Sequence, residues 1–317
     1  MSADSVIPFG FESLPVRGAL IQLSRSWRRM QRDHDYDALV TETLGHAAAA
    51  TGLIAQSLKF DGAVTLQLLG GSALQILVMQ VTSDLDVRGM AAVTDGSAPQ
   101  NFADLTRDAQ CAVTVDSGGK PYQGIVQVNE ESLAASLEHY FDRSMQVPSH
   151  VALVANADVA AGVLLQQVPG EPIDSDDWNR LGFVVQTLTT GDFEGEAGLE
   201  LIGKLFAEDD VRVYAPQPVA FRCRCTAAKT EDVLRMIGES EARDALAEQG
   251  RIEVICEYCG RRRHFDAVDV ERLFSDNVVP TPDSLHKFGV SYRSPRFGVR
   301  FLLHKSLILI IRDIMNQ

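Results

Sequence analysis

Four of the five cysteines form two closely spaced pairs that could hold a metal ion. Cys223-x-Cys225 and Cys256-x-x-Cys259 are separated by 30 intervening residues, which suits one tetrahedral four-thiolate zinc site. Gly260 follows the second pair directly, and glycine suits a tight metal-binding turn that needs a positive φ. Four sulfur ligands leave no open coordination position, so the predicted Zn²⁺ would be structural or regulatory rather than catalytic. Four ordinary buried cysteines are the competing interpretation, which the close pairing disfavours.

The short Cys-x-Cys pair leaves two interpretations of this metal site open. A disulfide between residues only two apart is strained and easily reduced, and the flanking Arg222 and Arg224 favour the reactive thiolate. Oxidation could therefore open the site, and zinc loss from a small module removes folding free energy on the order of 10 kcal/mol. The site is then either a redox switch or a static zinc ribbon that binds a protein or RNA partner.

A short basic run, Arg261-Arg-Arg-His264, follows the second cysteine pair and could suggest a nucleic-acid contact. Residues 221–274 contain 10 Lys+Arg and 11 Asp+Glu, however, and the whole chain has a net charge of −14. An acidic protein without a net basic field repels the phosphate backbone. We therefore expect no nucleic-acid partner.

The remaining candidates do not assemble an active site, so we expect that the protein is not an enzyme. Cys111 begins an alternating run, Cys111-Ala-Val-Thr-Val115, and is interpreted as a core residue. Gly70-Gly71 and Gly118-Gly119 are predicted hairpin turns, because neither leads into a helix with a Lys-Ser/Thr phosphate motif. Four histidines show no metal spacing among themselves: His34, His46, His139 and His150.

The cysteine count and the hydropathy pattern predict a cytoplasmic protein with no membrane partner. Five cysteines in 317 residues are too sparse for a secreted disulfide scaffold. The N-terminus has no basic stretch followed by an apolar run. No apolar run approaches the roughly 20 residues that span a bilayer.

The cysteines must be positioned by the surrounding chain, which the sequence divides into four predicted segments. Residues 1–169 read as an α+β (mixed α/β) core domain, in which runs of strands alternate with occasional helices. Residues 170–219 contain 11 Asp+Glu and 3 Lys+Arg and predict an acidic helical linker of marginal stability; a solvated surface layer on the core is the alternative. Residues 220–274 form the zinc module, and residues 275–317 an atypical C-terminal tail.

The cysteine motifs resemble those of a known family. Phe221-Arg-Cys-Arg-Cys225 with Ile255-Cys-Glu-Tyr-Cys-Gly260 is similar to the 33-kDa chaperonin family, the redox-regulated heat-shock holdases of bacteria. The segments Leu205–Tyr214, Tyr122–Val128 and Phe265–Val270 also match the family pattern. Met145 stands where the family usually has an acidic residue, and the tail extends beyond the family's usual end.

The resemblance implies an activity and a mechanism. The reduced resting form would hold one Zn²⁺ on Cys223, Cys225, Cys256 and Cys259. Oxidation would form the Cys223–Cys225 and Cys256–Cys259 disulfides, release zinc and unfold the linker. The protein would then tend to form a homodimer and would capture unfolded or oxidatively damaged client proteins without ATP.

Overall fold

The computed structural model describes residues 4–119, 121–193 and 198–275, with the backbone of 303–304 and 306–307. The chain divides after Arg222 into two compact units. Both contain helices and antiparallel strands, so the predicted mixed α+β class is confirmed. Apart from that short backbone pair, the predicted tail beyond Ser275 lies outside the described residues. None of the described helices is both long and apolar enough to cross a membrane.

The first unit contains most of the regular structure. In chain order its elements are β1 Ser5–Phe11, β2 Val16–Leu23, α1 Arg25–Gln31, α2 Ala38–Ser57, β3 Ala63–Leu69, β4 Leu74–Thr82, β5 Asp86–Val93, α3 Phe102–Thr106, β6 Gln110–Asp116, β7 Tyr122–Gln127, α4 Leu133–Tyr140, β8 Ser149–Ala155, β9 Ala160–Gln167, α5 Ser175–Gln186, α6 Gly198–Leu205, β10 Val211–Val213, β11 Gln217–Pro218 and β12 Ala220–Phe221.

Two six-stranded sheets organise this unit. Sheet A has the order β10-β1-β2-β9-β8, with β11 also paired to β1, and sheet B has the order β12-β5-β4-β3-β6-β7. Neighbouring strands are antiparallel except for the short β12, which runs parallel to β5. The predicted turns at Gly70-Gly71 and Gly118-Gly119 join β3 to β4 and β6 to β7, as expected for hairpins.

Helix α2 packs between the two sheets and forms the main core with their inner faces. Its first turn is capped by Asp37, whose carboxylate accepts a hydrogen bond of 2.8 Å from the Val40 backbone N–H. The central Ala47-Ala-Ala-Ala50 is fully buried. Small residues there let both sheets approach the helix closely. Because sheets cover the helix on two sides, it is apolar on more than one side.

The helical part of the predicted linker (residues 170–219) lies on the outer face of sheet A, whereas its strands β10 and β11 belong to the sheet itself. This helical part, which ends where β10 begins, is called the linker segment. Helix α5, a 3-10 turn at Thr190–Phe193 and helix α6 contribute its apolar residues. They pack against outward-facing side chains of β1, β2 and β9 in a second core: Ile7, Phe9, Leu20, Val163 and Leu165 of the sheet, and Leu181, Val185, Phe193, Ile202 and Phe206 of the segment. The acidic side chains of the segment remain largely at the surface.

The edge of sheet A at β8 is the place where α5 contacts the core through polar groups. The His150 ring stacks on Trp178 with centroids 4.2 Å apart, and its Nε2 lies 3.2 Å from the Trp178 carbonyl oxygen. Glu138 of α4 accepts a 2.8 Å hydrogen bond from the Val151 N–H on the same strand. Burial lowers the pKa of His150 and raises that of Glu138.

Some elements that the sequence predicts have the expected bounds, and others differ. The apolar run Ala63–Leu69 predicts a strand, and β3 has these bounds. The helical spacing of apolar residues in Glu130–Ser144 predicts one amphipathic helix; the structure has α4 followed by a π-helical turn at Phe141–Met145, which ends where Gln146 adopts a left-handed conformation. Strand β1 was not predicted, because Pro8 and Gly10 interrupt its pattern.

The second unit contains α7 Ala227–Ile237, α8 Glu239–Gln249, β13 Ile252–Ile255, β14 Arg262–Phe265 and α9 Ala267–Ser275, with the backbone pair β15 Leu303–His304 and β16 Ser306–Leu307. Strands β13 and β14 form an antiparallel hairpin. Its small core consists of Leu234, Ala242, Ile252, Val254, Phe265, Val270 and Leu273. Among the described residues this core is small, which is typical of modules whose folding depends on a metal.

We predict that Gly182→Ala destabilises the packing of α5, although alanine favours helices. A Cβ at residue 182 would lie 2.6 Å from the His150 ring, and that ring is held by its stack on Trp178. The overpacking should cost about 1–3 kcal/mol in urea unfolding. Gly203→Ala in α6 is the matched control, because its Cβ would meet nothing within 4 Å and should stabilise by up to about 1 kcal/mol. Equal stabilisation by both substitutions would contradict the contact.

Candidate metal centre

The first cysteine pair lies between β12 and α7, in a stretch without regular secondary structure. Cys223 and Cys225 are both half-buried, and the segment ends at Thr226, whose hydroxyl caps α7 by accepting a hydrogen bond from the Lys229 N–H. Despite the intervening Arg224, both thiols reach the same cluster of sulfur atoms.

The second pair lies in the turn that joins β13 to β14. The Cys256 carbonyl accepts hydrogen bonds from the Cys259 and Gly260 N–H groups at 3.2 and 2.8 Å, and the Cys256 N–H donates to Arg261 at 3.0 Å. Gly260 has a φ of 63°, which confirms the expectation that this position needs glycine. Cys256 and Cys259 are buried, so the turn holds both thiols inside the module.

The structure brings all four predicted ligands together. The four sulfur atoms lie within 4.8 Å of one another, with Cys223 Sγ 3.6 Å from Cys256 Sγ and Cys225 Sγ 3.4 Å from Cys259 Sγ. Zn–S bonds of about 2.3 Å in a tetrahedron place sulfurs about 3.8 Å apart. The set therefore fits a tetrathiolate metal site. Within the described part of the chain, it is the group of three or more His, Cys, Asp or Glu side chains that lie close enough together to bind a metal ion.

The electrostatics of the cluster favour one thiolate and oppose more. The hydrogen bond from Cys256 lowers the pKa of Cys223. The same hydrogen bond raises the pKa of Cys256, and burial raises that of Cys225. Four thiolates can therefore coexist here only if a cation neutralises their repulsion, which is what a bound metal ion supplies.

The charged neighbours differ from one sequence expectation. Arg222 was expected to favour the thiolate of Cys223, but its Nε lies 3.2 Å from the Asp86 carboxylate of β5. The largest influence on the pKa of Cys223 is the neighbouring thiol. In the basic run, Arg262 and His264 lie 3.0 and 3.6 Å from Glu253, so part of its charge is neutralised within the hairpin.

The other candidate residues lie apart from the cysteine cluster. Cys111 is fully buried in the main core, and burial raises the pKa of its thiol to about 12. His46 lies on α2, where burial lowers its pKa to about 4. Sequence reasoning missed the contact of His150 with Trp178, because it joins residues that are distant in sequence and carry no motif.

We predict that Cys223→Ser abolishes tight zinc binding, because a hydroxyl replaces one of four thiolate ligands. Zinc content per chain after dialysis against a weak chelator measures the effect, and about one zinc per chain is expected for the unsubstituted protein. Cys111→Ala is the matched control and should retain the metal. Full zinc content in Cys223→Ser would be evidence against a four-sulfur site.

Comparison with known proteins identifies relatives along nearly the whole chain. The profile of the Hsp33 protein family matches residues 4–266. The 33 kDa chaperonin of Nitrosococcus oceani is 39% identical over 286 residues, which cover 89% of this chain and 99% of the relative. That of Methylobacillus flagellatus is 37% identical, covering 90% and 99%.

A solved structure shows the same fold. The Hsp33 homolog of Thermotoga maritima aligns with a TM-score of 0.74 at 22% identity, over 87% of this chain and 99% of that one. The family profile and the curated relatives extend this likeness from fold to sequence. The chain, with its four-cysteine cluster, therefore belongs to the Hsp33 family of 33 kDa chaperonins.

Proposed function

We propose that the protein is a redox-regulated, ATP-independent holdase chaperone. The observation that carries the proposal is the apolar outer face of sheet A, which the linker segment covers, in a chain that also carries a cluster of four thiols. A holdase needs an apolar surface that can be hidden at rest and exposed on demand. Sheet A offers such a surface, because the segment that hides it is a separate, acidic stretch of chain.

In the resting form, Zn²⁺ bound to Cys223, Cys225, Cys256 and Cys259 would neutralise the four thiolates and hold the module folded. Each cysteine pair with its turn forms one knuckle of the site, and 30 residues separate the two knuckles. The bound metal would therefore hold the two knuckles together. The small core of the module then depends on the four thiolates remaining reduced.

Oxidation would begin at the more accessible pair, Cys223 and Cys225, since Cys256 and Cys259 are buried. Each disulfide forms as two thiolates lose two electrons to an oxidant such as hydrogen peroxide, which is reduced to water. Pairing Cys223 with Cys225 and Cys256 with Cys259 leaves no bond between the knuckles. A cross-pair disulfide would keep them joined, so pairing within each knuckle is the arrangement that lets the module unfold.

The connection from the module to the linker segment runs along the chain. Strand β12 ends at Phe221, two residues before Cys223, and it pairs with β5 over two residues. The preceding β11 and β10 are two and three residues long. Such short edge strands are individually weak, so unfolding that starts at Cys223 can propagate back to the linker segment.

The proposed partners follow from the exposed surface. Unfolded client proteins expose apolar side chains, which the outer face of sheet A would bind. Part of the same face is available for a second copy, so the oxidised protein would form a homodimer. The negative charge of the chain disfavours nucleic acid, and a cytoplasmic location with no catalytic role suits a protein whose response is conformational.

We predict that peroxide with mild heat releases zinc and switches on protection of a client. Expected results are about one zinc per chain in a colorimetric assay and reduced light scattering of heat-denatured luciferase, without added ATP. Both should revert when thiols are reduced and zinc is restored. Cys111→Ala is the control and should behave like the unsubstituted protein, because that thiol is buried and protonated.

Two outcomes would contradict the proposal. Zinc that stays bound after oxidation would exclude a thiol switch. Zinc release with no gain in luciferase protection would favour a static zinc ribbon that serves as an adaptor, and such a protein should instead lose a partner when treated with a chelator.

We also predict the disulfide pairing. Peptide mapping of the oxidised protein under non-reducing conditions should recover Cys223 linked to Cys225 and Cys256 linked to Cys259. In the structure the shortest sulfur distances are those between knuckles, 3.6 and 3.4 Å, so cross-pair products are the specific alternative. Their predominance would contradict the mechanism of module release.

A further inference from the structure

A buried glutamine lies under the linker segment in the middle of apolar surroundings. Gln22 of β2 is only 4% exposed and faces outward from sheet A, on the same side as Leu20 two residues earlier. Its partner across the strand pair is Ala161 of β9. Both Leu20 and Ala161 belong to the apolar core that the linker segment completes.

Among the described residues the Gln22 side chain makes one hydrogen bond, and its partner is in the linker segment. Nε2 donates to the carbonyl oxygen of Phe193 at 2.9 Å, with both groups buried. Phe193 ends the 3-10 turn between α5 and α6, and its ring is part of the same core. The hydrogen bond therefore fixes the turn over the sheet at a specific position, which apolar contacts alone do not do.

The other polar atom of this side chain is not satisfied. Among the described residues, nothing donates a hydrogen bond to Gln22 Oε1, which is buried. A buried acceptor without a partner reduces the net stability of the packing around it. The same side chain thus positions the linker segment and limits how tightly it is held.

We propose that Gln22 is a positioning residue that holds the linker segment closed and sets the threshold for its release. This inference rests on the proposed function, in which opening of the segment exposes the client surface. It assigns the control of opening to a hydrogen bond in the first unit, separate from the chemistry of the cysteines.

Gln22→Glu tests the assignment with almost no change in size. A glutamate carboxylate is only an acceptor, so it would face the Phe193 carbonyl with no hydrogen to share. In the reduced, zinc-loaded protein at neutral pH, amide hydrogen exchange in α5 and the 3-10 turn should accelerate about tenfold or more, the factor for one lost buried hydrogen bond.

Acidification provides a rescue that a merely structural defect would not show. A protonated glutamate regains one O–H donor and can donate to Phe193, so slow exchange should return once the pH is low enough to protonate the new side chain. The zinc content of each sample is measured in parallel, so that opening caused by metal loss is recognised.

Gln166→Glu is the matched control on the neighbouring strand β9. Gln166 is also 4% exposed, but its Oε1 accepts from Arg17 Nη2 at 3.0 Å and its Nε2 lies 3.2 Å from Ser149 Oγ. A carboxylate there keeps the arginine donor and loses only the hydrogen bond from Nε2 to the Ser149 hydroxyl, which itself donates to the Val147 carbonyl. Exchange in the linker segment should therefore stay as in the unsubstituted protein.

The possible results separate this inference from the proposed function. Unchanged exchange in Gln22→Glu overturns the role of Gln22 and leaves the proposed function intact. Faster exchange without protection of luciferase supports the role of Gln22 and counts against the proposed function. If Gln22→Glu unfolds globally, Gln22→Met removes the donor without a charge; faster exchange confined to the linker segment supports the assignment, and unchanged exchange overturns it.

Discussion

Sheet A is apolar on both of its faces, and the organisation of the first unit depends on this constraint. One face packs on α2 and the main core. The other would expose Phe9, Leu20, Val163 and Leu165 to water if the linker segment did not cover it. A sheet in the interior of a protein needs a layer on each side. Here the second layer is an acidic stretch of short helices, which contributes apolar side chains on one side and charges on the other.

The second unit depends on a different constraint, the repulsion among four close thiolates. Among the described residues its core contains few large side chains, so a metal bound by the four thiols would contribute folding free energy that packing does not. The hairpin β13–β14 positions one pair of ligands, and the start of α7 limits the segment that carries the other. The two constraints are coupled through the chain, since the short strands β10, β11 and β12 connect the layer over sheet A to Cys223.

The sequence predicts some of this better than the rest, for physical reasons. Cysteine spacing predicts the cluster, because metal geometry acts over a few residues. Hydrophobic alternation predicts β3, which lies inside a sheet. Strands β10–β12 were not predicted, because two or three residues carry no periodic signal and form only by pairing with β1 and β5. Gln22 reads as an ordinary polar position of an alternating strand, and its burial arises only from residues about 170 positions later.

The attachment of the linker segment at both ends affects how it would return to the sheet. It begins after β9, which ends at Gln167, and it ends at β10, which begins at Val211 and pairs with the N-terminal strand β1. When the segment leaves the sheet, it remains a loop held at both ends. The entropic cost of holding such loop ends together rises only slowly with loop length. Because both ends stay attached, the opened segment would remain at a high effective concentration at the sheet. Under the proposed function, a bound client would compete with an intramolecular ligand, which favours client release once the segment can fold again.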